Sequence, residues 1–287
     1  MFSIIGLVIV MAAVFGVFVL HGGNLEPIIH AAPSELASIG GAAIGAMFVG
    51  NGLPVIKGVG AGFGKVFAGP KYKKQDYLDT IFLVSKLMKI LRVDGPVALE
   101  SHVESPEASP IFGEYPKLMK DHTLIHMITD TIRLMVISSN NLNPYAVEEV
   151  LDNGLKAHHH AVMKPVEALG AMAGACPALG IVACVLGVVK TMGSIDQPPA
   201  VLGALIGSAL VGTFMGVLLA YGVIEPISFR LKQVIEEDSE IYVVVKQLIV
   251  ATLHGHPQPL VIEAARSGIS HANQPDFGEV FDGLRGK

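Results

Sequence analysis

The chain has 287 residues, of which 51% are hydrophobic and 16% are charged, and its formal net charge at pH 7 is −5. An average soluble domain has roughly 25% charged residues, so this composition disfavours an ordinary soluble protein. Four nearly charge-free stretches have about 20 residues each, the length of a helix that crosses a bilayer. These predicted membrane spans are residues 2–20, 36–55, 169–189 and 200–224.

The first span has no Lys or Arg before it, whereas a signal peptide begins with a basic region. We therefore expect residues 2–20 to be retained as a membrane helix.

The distribution of Lys and Arg predicts the orientation, because short cytoplasmic loops collect basic residues. The loop at 21–35 has none, and the link at 190–199 has one. The segment 56–168 has 13, and the tail after Pro226 has six. Both termini and the large segment are therefore predicted to be cytoplasmic. The large segment also has 13 acidic residues, a balance that disfavours a nucleic-acid partner.

The large segment and the tail have helical periodicity. Apolar spacing predicts a helix over 71–93 that ends at Gly95-Pro96, and a second over 116–139 whose apolar face carries Ile125, Ile128, Ile132 and Met135. A third begins at Pro144 and runs towards span three. The tail is interpreted as one long helix and two short ones, near 257–267 and 275–284. The glycine-rich run GVGAGFGK (58–65) lacks phosphate-loop spacing, and we expect it to be a flexible exit from the membrane.

No motif for an enzyme or a metal site is found. The run His158-His159-His160 places neighbouring side chains about 100° apart on a helix, whereas metal ligands are typically four residues apart. A solvated helix face is the favoured interpretation. We expect no catalytic residue, no metal and no cofactor.

No Asp, Glu, Lys, Arg or His lies inside the four predicted spans. Intramembrane ionisable residues mark ion routes. The chain therefore either moves no ions or depends on a carboxylate that another chain supplies. The spans are rich in small residues, which let helix backbones approach closely. Pairs four residues apart are Gly41/Gly45, Gly170/Gly174, Gly203/Gly207 and Gly212/Gly216.

Two prolines lie in or at the last two spans. Pro177 and Pro226 each remove a helix hydrogen bond. Each is either an inert kink or a hinge that lets spans three and four shift when a nearby charge changes. The residues alone leave both interpretations open.

Three segments resemble the MotA flagellar stator family, which belongs with the TolQ and ExbB proton-driven proteins. They are CPALGIVACVLGVV from Cys176, GTFMGVLLAYGVIEP from Gly212, and LRVDGPVALE from Leu91. The resemblance extends over nearly the whole chain and includes the order of two spans, a large loop and two spans. It implies an all-α inner-membrane protein with four spans, and domains at 1–55, 56–168, 169–226 and 227–287.

The resemblance also implies partners. A ring of copies, a pentamer, surrounds a MotB-type single-span partner whose membrane aspartate carries the ion, with lipid outside and the rotor protein FliG in the cytoplasm. The family's functional prolines match Pro177 and Pro226. Thr213 matches a hydroxyl on the ion route, and Gly180 and Tyr221 fall in the same matched segments.

Two further features concern the rotor and the coupling ion. Arg92 and Glu100 have the spacing of the family's rotor-contacting charges, although without the family they are an ordinary solvated pair. Cys184 stands where sodium-driven relatives carry threonine. Since hard cations prefer oxygen ligands, the expected ion is the proton. The alternatives left open are an ExbB/TolQ-like energiser of outer-membrane transport and a non-conducting membrane scaffold.

Overall fold

The computed structural model describes residues 2–138 and 143–285, and within these residues there is no β-strand. The all-α prediction is confirmed. The chain forms two compact units: the membrane unit, made of the residues up to Gly69 and Val162–Val234, and the second unit, made of Pro70–Ala161 and the residues after Val234.

The helices are α1 (Phe2–Leu20), α2 (Glu26–Gly50), α3 (Leu53–Ala68), α4 (Lys74–Val93), α5 (Glu100–Glu104), α6 (Pro110–Gly113), α7 (Pro116–Met119), α8 (His122–Ile137), α9 (Pro144–Met192), α10 (Pro199–Val217), α11 (Glu225–Leu253), α12 (Gln258–Ser267) and α13 (Phe277–Arg285).

Four helical stretches in the described chain are long and apolar enough to cross a membrane. They are α1, α2, α9 and the continuous stretch Pro199–Leu253, so the prediction of four spans is confirmed. None of the residues in α1 is buried within the chain. Its outer side chains therefore have the exposure expected of a helix surrounded by lipid.

The helix that contains predicted span two has other bounds than the predicted span. The helix begins at Glu26, ten residues before the predicted start, and ends at Gly50. Pro27 occupies the first turn, where its missing N–H costs nothing, and the Glu26 N–H donates to Asn24 Oδ1 at 2.9 Å. Most of the predicted loop at 21–35 is therefore helical.

The glycine-rich run 58–65 is also helical, within α3, which corrects the expectation of a flexible exit. A Cβ on Gly58 would lie 2.6 Å from Pro165 Cγ, and one on Gly62 would lie 2.7 Å from Leu231 Cδ2. The two glycines thus form a face on which α9 and α11 pack closely within the membrane unit. Their function is contact between helices.

The four predicted glycine pairs differ in their surroundings. A Cβ on Gly41, Gly45, Gly203 or Gly207 would meet nothing within 4 Å. The Gly212/Gly216 pair, in contrast, is in close contact with α9 within the same chain. The Gly212/Gly216 pair therefore marks a helix crossing within the chain. The glycine faces at Gly41/Gly45 of α2 and Gly203/Gly207 of α10 are not covered by this chain.

In the second unit, α4, α8 and α11 together contribute most of the hydrophobic core. The predicted α4 ends at Val93 before Gly95, whose φ of +83° favours glycine. The predicted helix at 116–139 is wrong as a single element, because it is divided into α7 and α8; Ser139 lies outside the described residues. The predicted apolar face of α8 is buried and consists of Ile125, Ile128, Ile132 and Met135.

Asp121 causes the break between α7 and α8. Its Oδ1 accepts from the Leu124 N–H at 3.0 Å and so caps α8. Its Oδ2 accepts from Lys71 Nζ at 2.8 Å and from the hydroxyls of Tyr72 and Tyr242. Burial alone would raise the pKa of the Asp121 carboxyl, but these donors outweigh burial and lower the pKa to about 2.

Replacing Asp121→Ala is expected to lower the free energy of unfolding by about 2–4 kcal/mol, because the cap is lost and two tyrosine hydroxyls lose their acceptor. The effect is measured by denaturant or thermal unfolding of the purified chain at neutral pH. In the unaltered protein, this stabilisation is present above the ordinary pKa of 3.8 and is lost as pH falls through about 2.

Asp130→Ala is the matched control, because Asp130 is on the same helix, is 63% exposed and pairs with Arg133 at the surface. We expect a loss below about 0.5 kcal/mol. Equal losses in the two variants would contradict the role assigned to Asp121.

Candidate functional site

The backbones of α9 and α10 cross in near-contact inside the membrane unit. A Cβ on Gly180 would lie 2.8 Å from the carbonyl oxygen of Gly212, and one on Gly216 would lie 2.6 Å from the carbonyl oxygen of Cys176. Real Cβ atoms do not approach backbone atoms this closely, so glycine is required at both positions. The crossing places the predicted site residue Gly180 against the segment that precedes Thr213.

Cys184 and Thr213 lie at the same crossing. The backbone nitrogen of Cys184 is 3.2 Å from the position that a Cβ on Gly212 would take, and Thr213 is the next residue of α10. Both side chains are half-buried. The two residues that the resemblance assigns to the ion route are therefore brought close by the glycines.

The two prolines behave differently. The helix α9 continues through Pro177, which is half-buried, and just before it Cys176 Sγ donates to the carbonyl oxygen of Met172 at 3.3 Å. Directly before Pro226, in contrast, residues Leu218–Ile224 form a π-helix.

The π-helix lies next to a proline, although a second π-helix, Ala12–Gly16 within α1, has no proline near it. A proline ring clashes with the carbonyl oxygen four residues earlier and offers no N–H to it. Widening the preceding turns relieves this clash, and such π segments recur at functional sites. Tyr221 lies within the π-helix and is 59% exposed, pointing away from the membrane unit's own core. The sequence contained no signal for this segment apart from the proline.

Glu35 lies one residue before the predicted span two, in the same helix as that span. Glu35 is the tenth residue of α2, and its Oε2 is buried without a hydrogen-bond partner. A Cβ on Gly212 would lie 2.7 Å from this oxygen. The sequence-based boundary at Leu36 placed Glu35 in a loop. The helix-start signal at Glu26-Pro27 would have placed it in the helix.

A second candidate surface lies in the second unit, around the turn at Gly95. Arg92 is in the last turn of α4 and Glu100 begins α5, and both are exposed. Between them Val93 and Val97 are 72% and 67% exposed. Two opposite charges thus flank an apolar strip that this chain leaves uncovered. Arg92 Nη2 also donates to the carbonyl oxygen of His256 at 3.0 Å.

The histidine run has a structural contact. The ring of His158 packs edge-on against Tyr242, with 4.9 Å between ring centroids, while His159 and His160 are exposed. Over residues 2–138 and 143–285, no three His, Cys, Asp or Glu side chains lie together in a way that would hold a metal ion.

Comparisons with protein families, with individual relatives and with solved structures all indicate the same family. Residues 4–95 match the family described as Motility protein A N-terminal, and residues 119–242 match the MotA/TolQ/ExbB proton channel family. The chain is 37% identical over 285 residues to Motility protein A of Salmonella typhimurium and 36% identical to that of Escherichia coli, covering 99% of this chain and 95% of each relative. The solved structure of MotAB from C. jejuni has a TM-score of 0.72 at 18% identity, covering 94% of this chain and 95% of that one.

Replacing Gly216→Ala is expected to destabilise the chain by about 1–3 kcal/mol, the usual cost of forcing an extra methyl group into a close-packed contact. The measurement is the melting temperature of the purified chain in detergent. Gly64→Ala in α3 is the control. It meets nothing within 4 Å, and replacing a mid-helix glycine with alanine gains about 0.5–1 kcal/mol. Unchanged stability in Gly216→Ala would contradict the close crossing.

Proposed function

Because the chain belongs to the MotA/TolQ/ExbB proton channel family, we propose that it is the stator subunit of a bacterial flagellar motor. The observation that carries this proposal is the 37% identity to Motility protein A of Salmonella typhimurium over 99% of the chain. The match of residues 4–95 to the Motility protein A N-terminal family favours this branch over an ExbB- or TolQ-type energiser. The family is a channel family, and the proposal assigns no catalytic residue.

The partner is a MotB-type single-span protein that supplies a membrane aspartate. A solved structure of similar fold is that of MotAB from C. jejuni. Several copies of this chain, a pentamer, form a ring around the partner helices. The open glycine faces at Gly41/Gly45 and Gly203/Gly207 support close contacts with further helices. The exposed apolar side chains of α1 support contact with lipid.

The protein is a multi-pass inner-membrane protein, and its termini and segment 56–168 face the cytoplasm. The 13 basic residues of that segment and the six after Pro226 support this orientation. Arg92 and Glu100 are then on the side of the membrane where the rotor lies.

The working cycle begins with proton entry between α9, α10 and the partner helix, near Cys184 and Thr213. A charge that falls through 100 mV releases about 2.3 kcal/mol. Protonation of the partner's aspartate removes the cost of holding a charge in hydrocarbon, so the surrounding helices repack. At Pro177 and at the π-helix before Pro226 the regular α-helical hydrogen bonds are interrupted, and the helices can bend there. The π-helix supports the hinge interpretation of Pro226 over an inert kink.

Torque is delivered to the rotor protein FliG by Arg92 and Glu100. Their exposure and the uncovered Val93 and Val97 support a binding surface with a polar rim and an apolar centre. Charges in such a surface set register and association rate more than affinity.

The function is tested by expressing this chain and its MotB-type partner in a strain that lacks its own stator genes. We expect swimming only when both are present, abolition by a protonophore and insensitivity to removal of external sodium. Cys184 in place of an oxygen-bearing side chain is the reason for the expected proton preference. Swimming that follows sodium and resists the protonophore would overturn the choice of ion. Failure to swim with both chains present in the membrane would overturn the stator assignment.

The rotor contact is tested by Arg92→Glu combined with Glu100→Lys. We expect near-complete loss of swimming, because both charges then repel their partners, and recovery when matching charges on the rotor are reversed. Lys86→Glu with Glu114→Lys, a surface pair in the same unit, is the control that should leave swimming intact. Normal motility in the Arg92/Glu100 double variant would remove these residues from the interface.

A further inference from the structure

We propose that a pocket in the second unit binds a small aromatic carboxylic acid that carries a hydroxyl group at the end opposite its carboxylate. The pocket is half-open, has a volume of about 210 Å³ and lies between α4, α11 and α12. All of its lining residues belong to the second unit. The residues assigned to the ion route belong to the membrane unit, so this site is a different one.

The walls of the pocket are apolar. Met88 of α4, Leu248 of α11 and Val261 of α12 each contribute a buried side chain. An apolar cavity of about 150 Å³ binds benzene, so the volume of this pocket accommodates one aromatic ring with its substituents. Removing the apolar surface of such a ring from water favours binding. The body of the ligand is therefore apolar and about the size of one ring.

Ser85 places a polar group at the buried end of the pocket. This residue is 8% exposed, and its Oγ is buried without a hydrogen-bond partner among the described residues. Thr252 also lines the pocket, but its hydroxyl donates to the carbonyl oxygen of Leu248 at 2.7 Å. A buried hydroxyl that is left unpaired costs free energy. A ligand hydroxyl bonded to Ser85 Oγ removes this cost, so we expect a polar group at the far end of the ligand.

Two positive charges lie at the exposed end of the pocket. Lys89 and Arg92 follow Ser85 by four and seven residues, so all three lie on one face of α4, with Arg92 about 10 Å from Ser85 along the helix. Both cations are exposed, and within the described part of the chain neither has a carboxylate partner. Arg92 donates one N–H to His256 and keeps its other N–H groups for a ligand. These charges predict an anionic group at the mouth.

The order of these groups distinguishes the ligand from an apolar side chain of a partner protein. A leucine or phenylalanine would fill the walls but would leave Ser85 Oγ without a partner. In contrast, 4-hydroxybenzoate offers a carboxylate to Lys89 and Arg92, a ring to the walls and a hydroxyl to Ser85. Because Arg92 also belongs to the proposed rotor surface, a bound acid would compete with the rotor for its guanidinium. This consequence alone rests on the proposed function.

The buried end is tested by isothermal titration calorimetry of the purified full chain in lipid nanodiscs, without rotor protein. We expect 4-hydroxybenzoate to bind about tenfold tighter than benzoate, because a hydrogen bond to a buried group is worth about this factor. Ser85→Ala should reduce that preference to less than about twofold. Ser239→Ala is the matched control. Ser239 is on a helix of the same unit and outside the pocket lining, and its hydroxyl donates to the Ile235 carbonyl oxygen at 2.7 Å.

The charged end is tested by Lys89→Gln, which should weaken binding of both acids by about tenfold, the usual effect of losing a hydrogen bond to a charged group. Lys120→Gln is the control, because Lys120 is an exposed lysine of the same unit outside the pocket lining. Both pocket variants should melt at the temperature of the unaltered chain, since neither side chain has a partner to lose. Absence of binding, equal affinity for the two acids, a preference that survives Ser85→Ala, or unchanged affinity in Lys89→Gln would each overturn the proposal.

Discussion

The membrane unit depends on backbone contact between α9 and α10 where both helices lack side chains. Gly180, Gly212 and Gly216 place carbonyl oxygens at distances that no Cβ would tolerate. In a bilayer, apolar side chains gain little by leaving lipid, so close van der Waals packing of small residues is a main source of helix association. The same contact determines where Cys184 and Thr213 lie, and it creates the space that accepts Glu35.

The absence of a side chain at Gly212 thus affects both the packing of the helices and the position of a charged-type side chain. Gly212 allows α9 to approach from one side and a carboxyl group from the other. A larger residue at this position would separate the helices and displace the acid together. The approach of the helices and the position of a carboxyl group are therefore linked at one residue.

The sequence predicted the helical class, the four spans and the apolar face of α8, because each depends on composition or periodicity over many residues. Prediction from the sequence failed where a single residue determines the local structure. Glu35 was assigned to a loop because a charged residue lowers local hydropathy, although Glu26-Pro27 signals a helix start. Asp121 divides a periodic apolar pattern by capping. The glycines at 58–65 were interpreted as flexible, whereas close packing against Pro165 and Leu231 uses them inside a helix. The roles of Pro177, Tyr221, Arg92 and Glu100 came from family resemblance, since their local chemistry is ordinary.

The hydrogen bond from Arg92 to the carbonyl oxygen of His256 has a mechanical consequence. It joins the end of α4 to the turn between α11 and α12, so a sideways load on the guanidinium is shared by two segments far apart in the chain. Arg92 also lines a half-open pocket of about 210 Å³, together with Ser85, Leu248 and Val261. The end of α4 and the turn between α11 and α12 are therefore expected to move together.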